Sequence, residues 1–182
     1  MAQYNQKLRY PIGIFQLPHA DAGEQTQQWI EEIAAFPGLL RKEVQGLSDE
    51  QLAWPYRPDG WNIRQVVHHC ADSHMNCFSR FKLALTEDNP TIRPYFEDRW
   101  AQLPDTDTPI QWSLNLLEGL HQKWAFLLRQ MNEKEYARTF VHPEHGKTFT
   151  LKVALGMYAW HSNHHLAHVR QAIKYRGKFD LA

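Results

Sequence analysis

Four separate stretches of this chain repeat their apolar residues every three or four positions, each for some twenty residues. That period suits few architectures other than a bundle of long helices. The first stretch runs from about Glu24 to Val44, with Trp29, Ile33, Phe36, Leu40 and Val44 on one face that continues to Leu47. Pro37 falls inside it, and a residue with no amide proton predicts a kink or break there. The second runs from about Ile63 to Leu85 on Ile63, Val66, Val67, Cys70, His74, Cys77, Phe81 and Leu85. The third, from about Ile110 to Met131, buries Leu114, Leu117, Leu120 or His121, Trp124 and Leu128. The last runs from about Leu151 to Lys174, and Gly177 just beyond it is a stop signal.

The connections are short on regular structure. Ser48-Asp49-Glu50-Gln51 reads as the start of a one-turn helix, and the Pro- and Gly-bearing run from Trp54 to Gly60 as a loop. From Asn89 to Thr108 the chain is irregular and proline-rich, a length that in compact domains is often functional. Between Arg138 and Lys152 two β-rich pieces flank Glu144-His145-Gly146 and predict a small hairpin. The fold class expected is all-α: a four-helix bundle with a small β-hairpin before the last helix, in a single domain over residues 1–182. The long link between the second and third helices argues against a simple up-down order.

Charge and hydropathy narrow the partners. Lys+Arg and Asp+Glu number 20 each, so there is no basic excess for nucleic acid. The N-terminal residues lack the apolar run of a secretory signal. The uncharged stretch from Val153 to Val169 contains four histidines and predicts no membrane span. Cys70 and Cys77 lie seven positions apart, about 10 Å on a helix and beyond disulfide reach. Buried reduced thiols and a cytoplasmic location are expected.

Histidine is the anomaly: 11 in the chain, four of them between His161 and His168. His161 and His165 are four apart, as are His164 and His168, so each pair shares a helix face and can reach one metal ion. A facing helix can add a ligand, and His68-His69 on the second helix, with Asp72 and His74 beyond, is the obvious source. Three histidines leave a coordination position open, the layout of a catalytic site. His74 and His121 read as hydrogen-bonded core residues. His19, His142 and His145 fall in loops or turns and read as solvated.

The segments YPIGIFQLP (10–18), GWNIRQVVHHCADSHMN (60–76), RFKLALTEDNPTIRPY (80–95) and ALGMYAWHSNHHLAH (154–168) resemble the DinB-like superfamily, and within it the YfiT-type metal-dependent hydrolases. The resemblance covers nearly the whole chain. It implies a DinB/YfiT-like four-helix bundle with a divalent metal, zinc or else nickel, held by His69, His161 and His165. In the family the helix-two ligand lies eight residues after a Trp, and Trp61 here points to His69 rather than His68. Where many relatives carry Gln three positions after the last ligand, this chain has His168; where an Arg often follows that ligand, it has Leu166. The resemblance also implies homodimers and cytoplasmic members.

A three-histidine metal can lower the pKa of water for hydrolysis, or hold a thiol as thiolate for transfer. Hydrolysis wants a carboxylate beside the metal, and the motif HSNHH has none. Asp72, one turn from His69, is the candidate, as a general base or as a partner that orients an imidazole. The missing acid and the resemblance to bacillithiol-using members favour a low-molecular-weight-thiol S-transferase acting on an electrophilic small molecule. Tyr95 and Trp100 would wall its substrate, and Arg64, Arg80 or Arg93 would hold acidic groups. The alternatives are a zinc-dependent hydrolase and a non-catalytic, metal-stapled stress-response binding module.

Overall fold

A computed structural model describes residues 2–16, 23–144 and 146–179 of the chain. Its frame is four long helices: α2 (Gly23–Val44), α4 (Ile63–Thr86), α6 (Ile110–Gln130) and α8 (Leu151–Tyr175). The short helices α1 (Ala2–Arg9), α3 (Asp49–Leu52), α5 (Glu97–Trp100) and α7 (Glu133–Tyr136) and a 3₁₀ turn at Pro104–Asp107 fill the connections. Strands β1 (Thr139–His142) and β2 (Lys147–Thr150) form the antiparallel hairpin ahead of α8. His19 and His145, expected in solvated loops, lie outside the described residues.

Local chemistry sets the helix ends. Asn62 caps α4 by accepting from the Gln65 amide, while Gln65 reaches back to the Asn62 amide. Thr150 caps α8 by accepting from the Val153 amide. Past α8 the chain turns left-handed at Arg176 and Gly177. Arg138 ties off the other end of α4, donating to the carbonyls of Ala84 and Glu87.

Helix α2 packs against α6 and α8, and α4 packs against the same two. The consecutive helices α2 and α4 therefore occupy opposite corners of the bundle, which the long connections allow. The core divides into two apolar levels. One holds Phe36, Leu40, Val67, Leu117 and Val169; the other holds Ile33, Phe81, Trp124, Leu128 and Leu155. His74 and His121 lie between the two levels, each against Phe36 of one and Trp124 of the other.

Pro37 does not break α2, which runs through it. The proline leaves the Ile33 carbonyl without its usual amide partner four residues on. That carbonyl accepts instead from His121 Nδ1 at 2.6 Å. The tertiary contact replaces the helical hydrogen bond, and the helix continues.

The segment after α4 lies against the hairpin. Ile92 and Val141 bond through Ile92 N–H to Val141 O, and Val141 N–H bonds to Pro90 O. This anchoring carries Tyr95, Phe96 and Glu97 over the mouth of the bundle. His142, expected to be solvated, is the last residue of β1 and is buried at 8% exposure. Strand pairing turns its side chain inward.

Candidate metal centre

His69 stands two turns into α4, and His161 and His165 stand one turn apart on α8. The contact of α4 with α8 brings one ring nitrogen of each within 4.8 Å of the other two. Two nitrogens bound at about 2.05 Å to a tetrahedral ion lie about 3.3 Å apart. Nε2 of His69 and Nε2 of His161 are 3.4 Å apart, so the pair fits such an ion. Among the described residues this is the one trio of His, Cys, Asp or Glu side chains that converges in this way.

The donors are in the right protonation state. Loss of solvent holds the His69 imidazole down to about 4, helped by the field of His164. Burial first, and then the neighbouring histidines, push His161 and His165 well below their ordinary value. All three present lone pairs at neutral pH. Trp61 packs on His69, with ring centroids 4.6 Å apart.

The other histidines divide into distinct roles. His68 turns away from the centre: its Nε2 donates to Thr108 O at 3.2 Å, and its Nδ1 accepts from Ser113 Oγ at 2.8 Å. His74 and His121 are core residues at 0% and 1% exposure, as expected. His164 is sandwiched between Tyr10 and Trp160. His168 stacks on Tyr56 at 3.7 Å and contacts His165. The thiols of Cys70 and Cys77 are fully buried and unpaired, and burial pushes both upward in pKa.

Asp72, the candidate base or orienting partner, lies about one turn along α4 from His69. No hydrogen bond joins its carboxylate to His69, His161 or His165 among the described residues, and loss of solvent raises it to about 6. The charge of Asp105, in the 3₁₀ turn, raises it further. Two other acids, Glu97 and Asp98, carried by the connection after α4, line the cavity that holds the three histidines. Glu97 is shifted upward by loss of solvent and by the charge of Asp98. Nothing in its spacing could have revealed it, since 64 residues separate Glu97 from His161.

Two cavities meet at His161, and Trp160, Glu97 and Asp98 line both. The larger, about 530 Å³, is walled by Tyr95, Phe149, Met157 and Tyr158, and Arg80, Arg99, His142 and Glu144 add to the polar groups of its lining. The smaller, about 370 Å³, holds the three candidate histidines together with Arg9, Arg57, Tyr10 and His168. Of the three arginines singled out in the sequence, Arg64 is bound to Asp49 at 2.5 Å and Arg93 is exposed. Arg80 faces a cavity and makes no ion pair among the described residues. Trp100 stacks behind Tyr95 at 4.6 Å rather than lining either cavity.

The profile of the DinB superfamily matches residues 24–169. Proteins of Bacillus cereus ATCC 10987 and B4264, each named "Putative metal-dependent hydrolase", are 51% identical over 162 residues, covering 89% of this chain and 93% of the relative. The solved structure of YfiT from Bacillus subtilis superposes with a TM-score of 0.90 at 44% identity, over 95% of this chain and 99% of that one. It is described as "a probable metal-dependent hydrolase with an unusual four-helix bundle topology". No helix of the chain is long and apolar enough to cross a membrane.

Proposed function

This chain belongs to the DinB superfamily, and from that membership and the geometry of its centre we propose that it is a metal-dependent S-transferase. Its three-histidine site would activate a low-molecular-weight thiol of the bacillithiol type for attack on an electrophilic small molecule. A divalent ion held by His69, His161 and His165, zinc first and nickel second, would supply the positive charge that keeps a thiol ionised at neutral pH.

The observation that carries this reading is the pair of unlike cavities meeting at His161. Two-substrate transfer needs two compartments that share the reacting point, whereas hydrolysis needs one compartment and water. Arg9 and Arg57 in the smaller cavity suit the acidic groups of a thiol cofactor. The aromatic wall of the larger cavity suits an apolar electrophile, with Arg80 available to an anionic substituent. In the proposed step the thiol proton passes to the Glu97 carboxylate, whose basicity loss of solvent raises. The sulfur pair forms the new bond to carbon, and the leaving group departs with the pair of the bond that breaks.

Glu97 favours one second reading, hydrolysis with that carboxylate as general base, in line with the names of the relatives. A third class, a binding module stapled by the metal, is the outcome if neither chemistry appears. For the exposed face of α6, where Trp112 and Leu116 are 64% and 45% exposed one turn apart, the proposed partner is a second copy of the chain.

The deciding assay loads the protein with zinc and offers 1-chloro-2,4-dinitrobenzene with a panel of carboxylate-bearing thiols, and separately p-nitrophenyl esters. Metal-dependent turnover with at least one thiol is expected. Ester cleavage with no thiol turnover would establish the hydrolase and overturn the transferase.

A further inference from the structure

A line of imidazoles crosses the bundle and touches all four long helices. Its far end is Ile33 O on α2, which can only accept, so His121 Nδ1 at 2.6 Å must donate. A neutral imidazole has one N–H, so His121 Nε2 is an acceptor. It lies 2.7 Å from His74 Nδ1, which must then donate. His74 Nε2 is left as an acceptor, 3.0 Å from His161 Nδ1. His161 therefore carries its proton on Nδ1, and its lone pair is on Nε2, the nitrogen that faces His69.

A second carbonyl, that of Arg9, anchors another relay. Arg9 O accepts from His168 Nε2 at 3.0 Å. His168 Nδ1 is then an acceptor, and the atom facing it at 3.4 Å is His165 Nδ1. The proton of His165 is placed on Nδ1 and its lone pair on Nε2. Free histidine side chains prefer the opposite tautomer, so each relay works against the intrinsic preference.

We propose that two histidine relays, Ile33 carbonyl–His121–His74 and Arg9 carbonyl–His168, preset the tautomers of His161 and His165 for metal binding, making His74, His121 and His168 positioning residues. The inference rests on the three-histidine metal reading above. The first relay depends on Pro37, because that residue frees the Ile33 carbonyl to take a proton from another helix. His69 has no such hydrogen-bonded support: its Nδ1 makes no hydrogen bond among the described residues, and its ring is held by packing against Trp61, His161 and His165. Two of the three histidines, both on α8, are thus oriented by hydrogen bonds, and the one on α4 by packing.

The test has two parts. Imidazole ¹⁵N spectra of the metal-free wild type at pH 7.5 are expected to show Nδ1–H at His74, His121, His161 and His165, and Nε2–H at His168. Nε2–H at His161 or His165 would overturn the relay, and this reading is independent of whether metal binds. Zinc affinity is then measured by competition with a chromophoric chelator. His74→Phe and His168→Leu are each expected to weaken binding about 10- to 100-fold. His74→Gln and His168→Gln, whose amides both donate and accept, are expected to restore most of it. Unchanged affinity in His74→Phe and His168→Leu, with native far-UV dichroism, would overturn the positioning role. Should His74→Phe fail to fold, the His168 pair and the spectra decide. A wild type that takes up no zinc while showing the expected tautomers would overturn the metal reading and the positioning role with it.

Discussion

Lowering the pH from 7.5 to 5.5 in the presence of a chelator should strip this protein of most of its stability. Burial pushes His69 and His121 down to about 4, and His74, His161 and His165 well below 6.5. In the unfolded chain these imidazoles return to about 6.5. Below that value the unfolded state binds protons that the native state refuses, so the stability present above pH 6.5 is lost as the pH falls toward about 4. At pH 5.5 each such group costs about 1.4 kcal/mol, so the five together cost about 7 kcal/mol. A domain of this size is stable by about 5–15 kcal/mol in total. Urea titration followed by far-UV circular dichroism at pH 7.5, 6.5 and 5.5 measures the loss. The midpoint should fall measurably by pH 6.5, where the five groups together cost about 2 kcal/mol, and steeply beyond, with unfolding in the absence of urea near pH 5. A midpoint unchanged between pH 7.5 and 5.5 would show that the imidazoles are charged or solvated in the native state and would refute the reasoning.

Elemental analysis of tag-free protein should find about one zinc or nickel per chain, and none in His161→Ala. Glu97→Gln should lower kcat about 100-fold or more while leaving zinc content unchanged, read by parallel kinetics and metal analysis. Trp124→Ala, which removes a side chain with 0% exposure packed on Phe81, His121 and Tyr158, should cost about 3–5 kcal/mol in chemical denaturation. Trp112→Glu should convert a dimer to a monomer by light scattering without altering metal content.

The positions of the long helices were legible to within a residue or two, because periodicity and capping act over a few neighbours. Asn62 with Gln65 marks the start of α4, and Gly177 marks the end of α8. The spacing of His161 and His165 likewise predicts a shared face, whatever the rest of the chain does. His68 is spent on Ser113 and Thr108, whereas His69, singled out through family resemblance, converges with His161 and His165.

Pro37 and His142 show where local reading failed. Pro37 predicts a break until His121, 84 residues on, supplies the missing donor to Ile33. His142 reads as solvated until strand pairing turns it inward. Helix identity is a local property, decided by which side chains recur every turn. The diagonal placement of α2 and α4, the reach of Glu97 over His161 and the relay from Ile33 to the centre depend on which distant groups satisfy one another's burial and hydrogen bonds. Only packing of the whole chain settles that, because an unmatched carbonyl or imidazole takes whichever partner the fold brings within 3 Å.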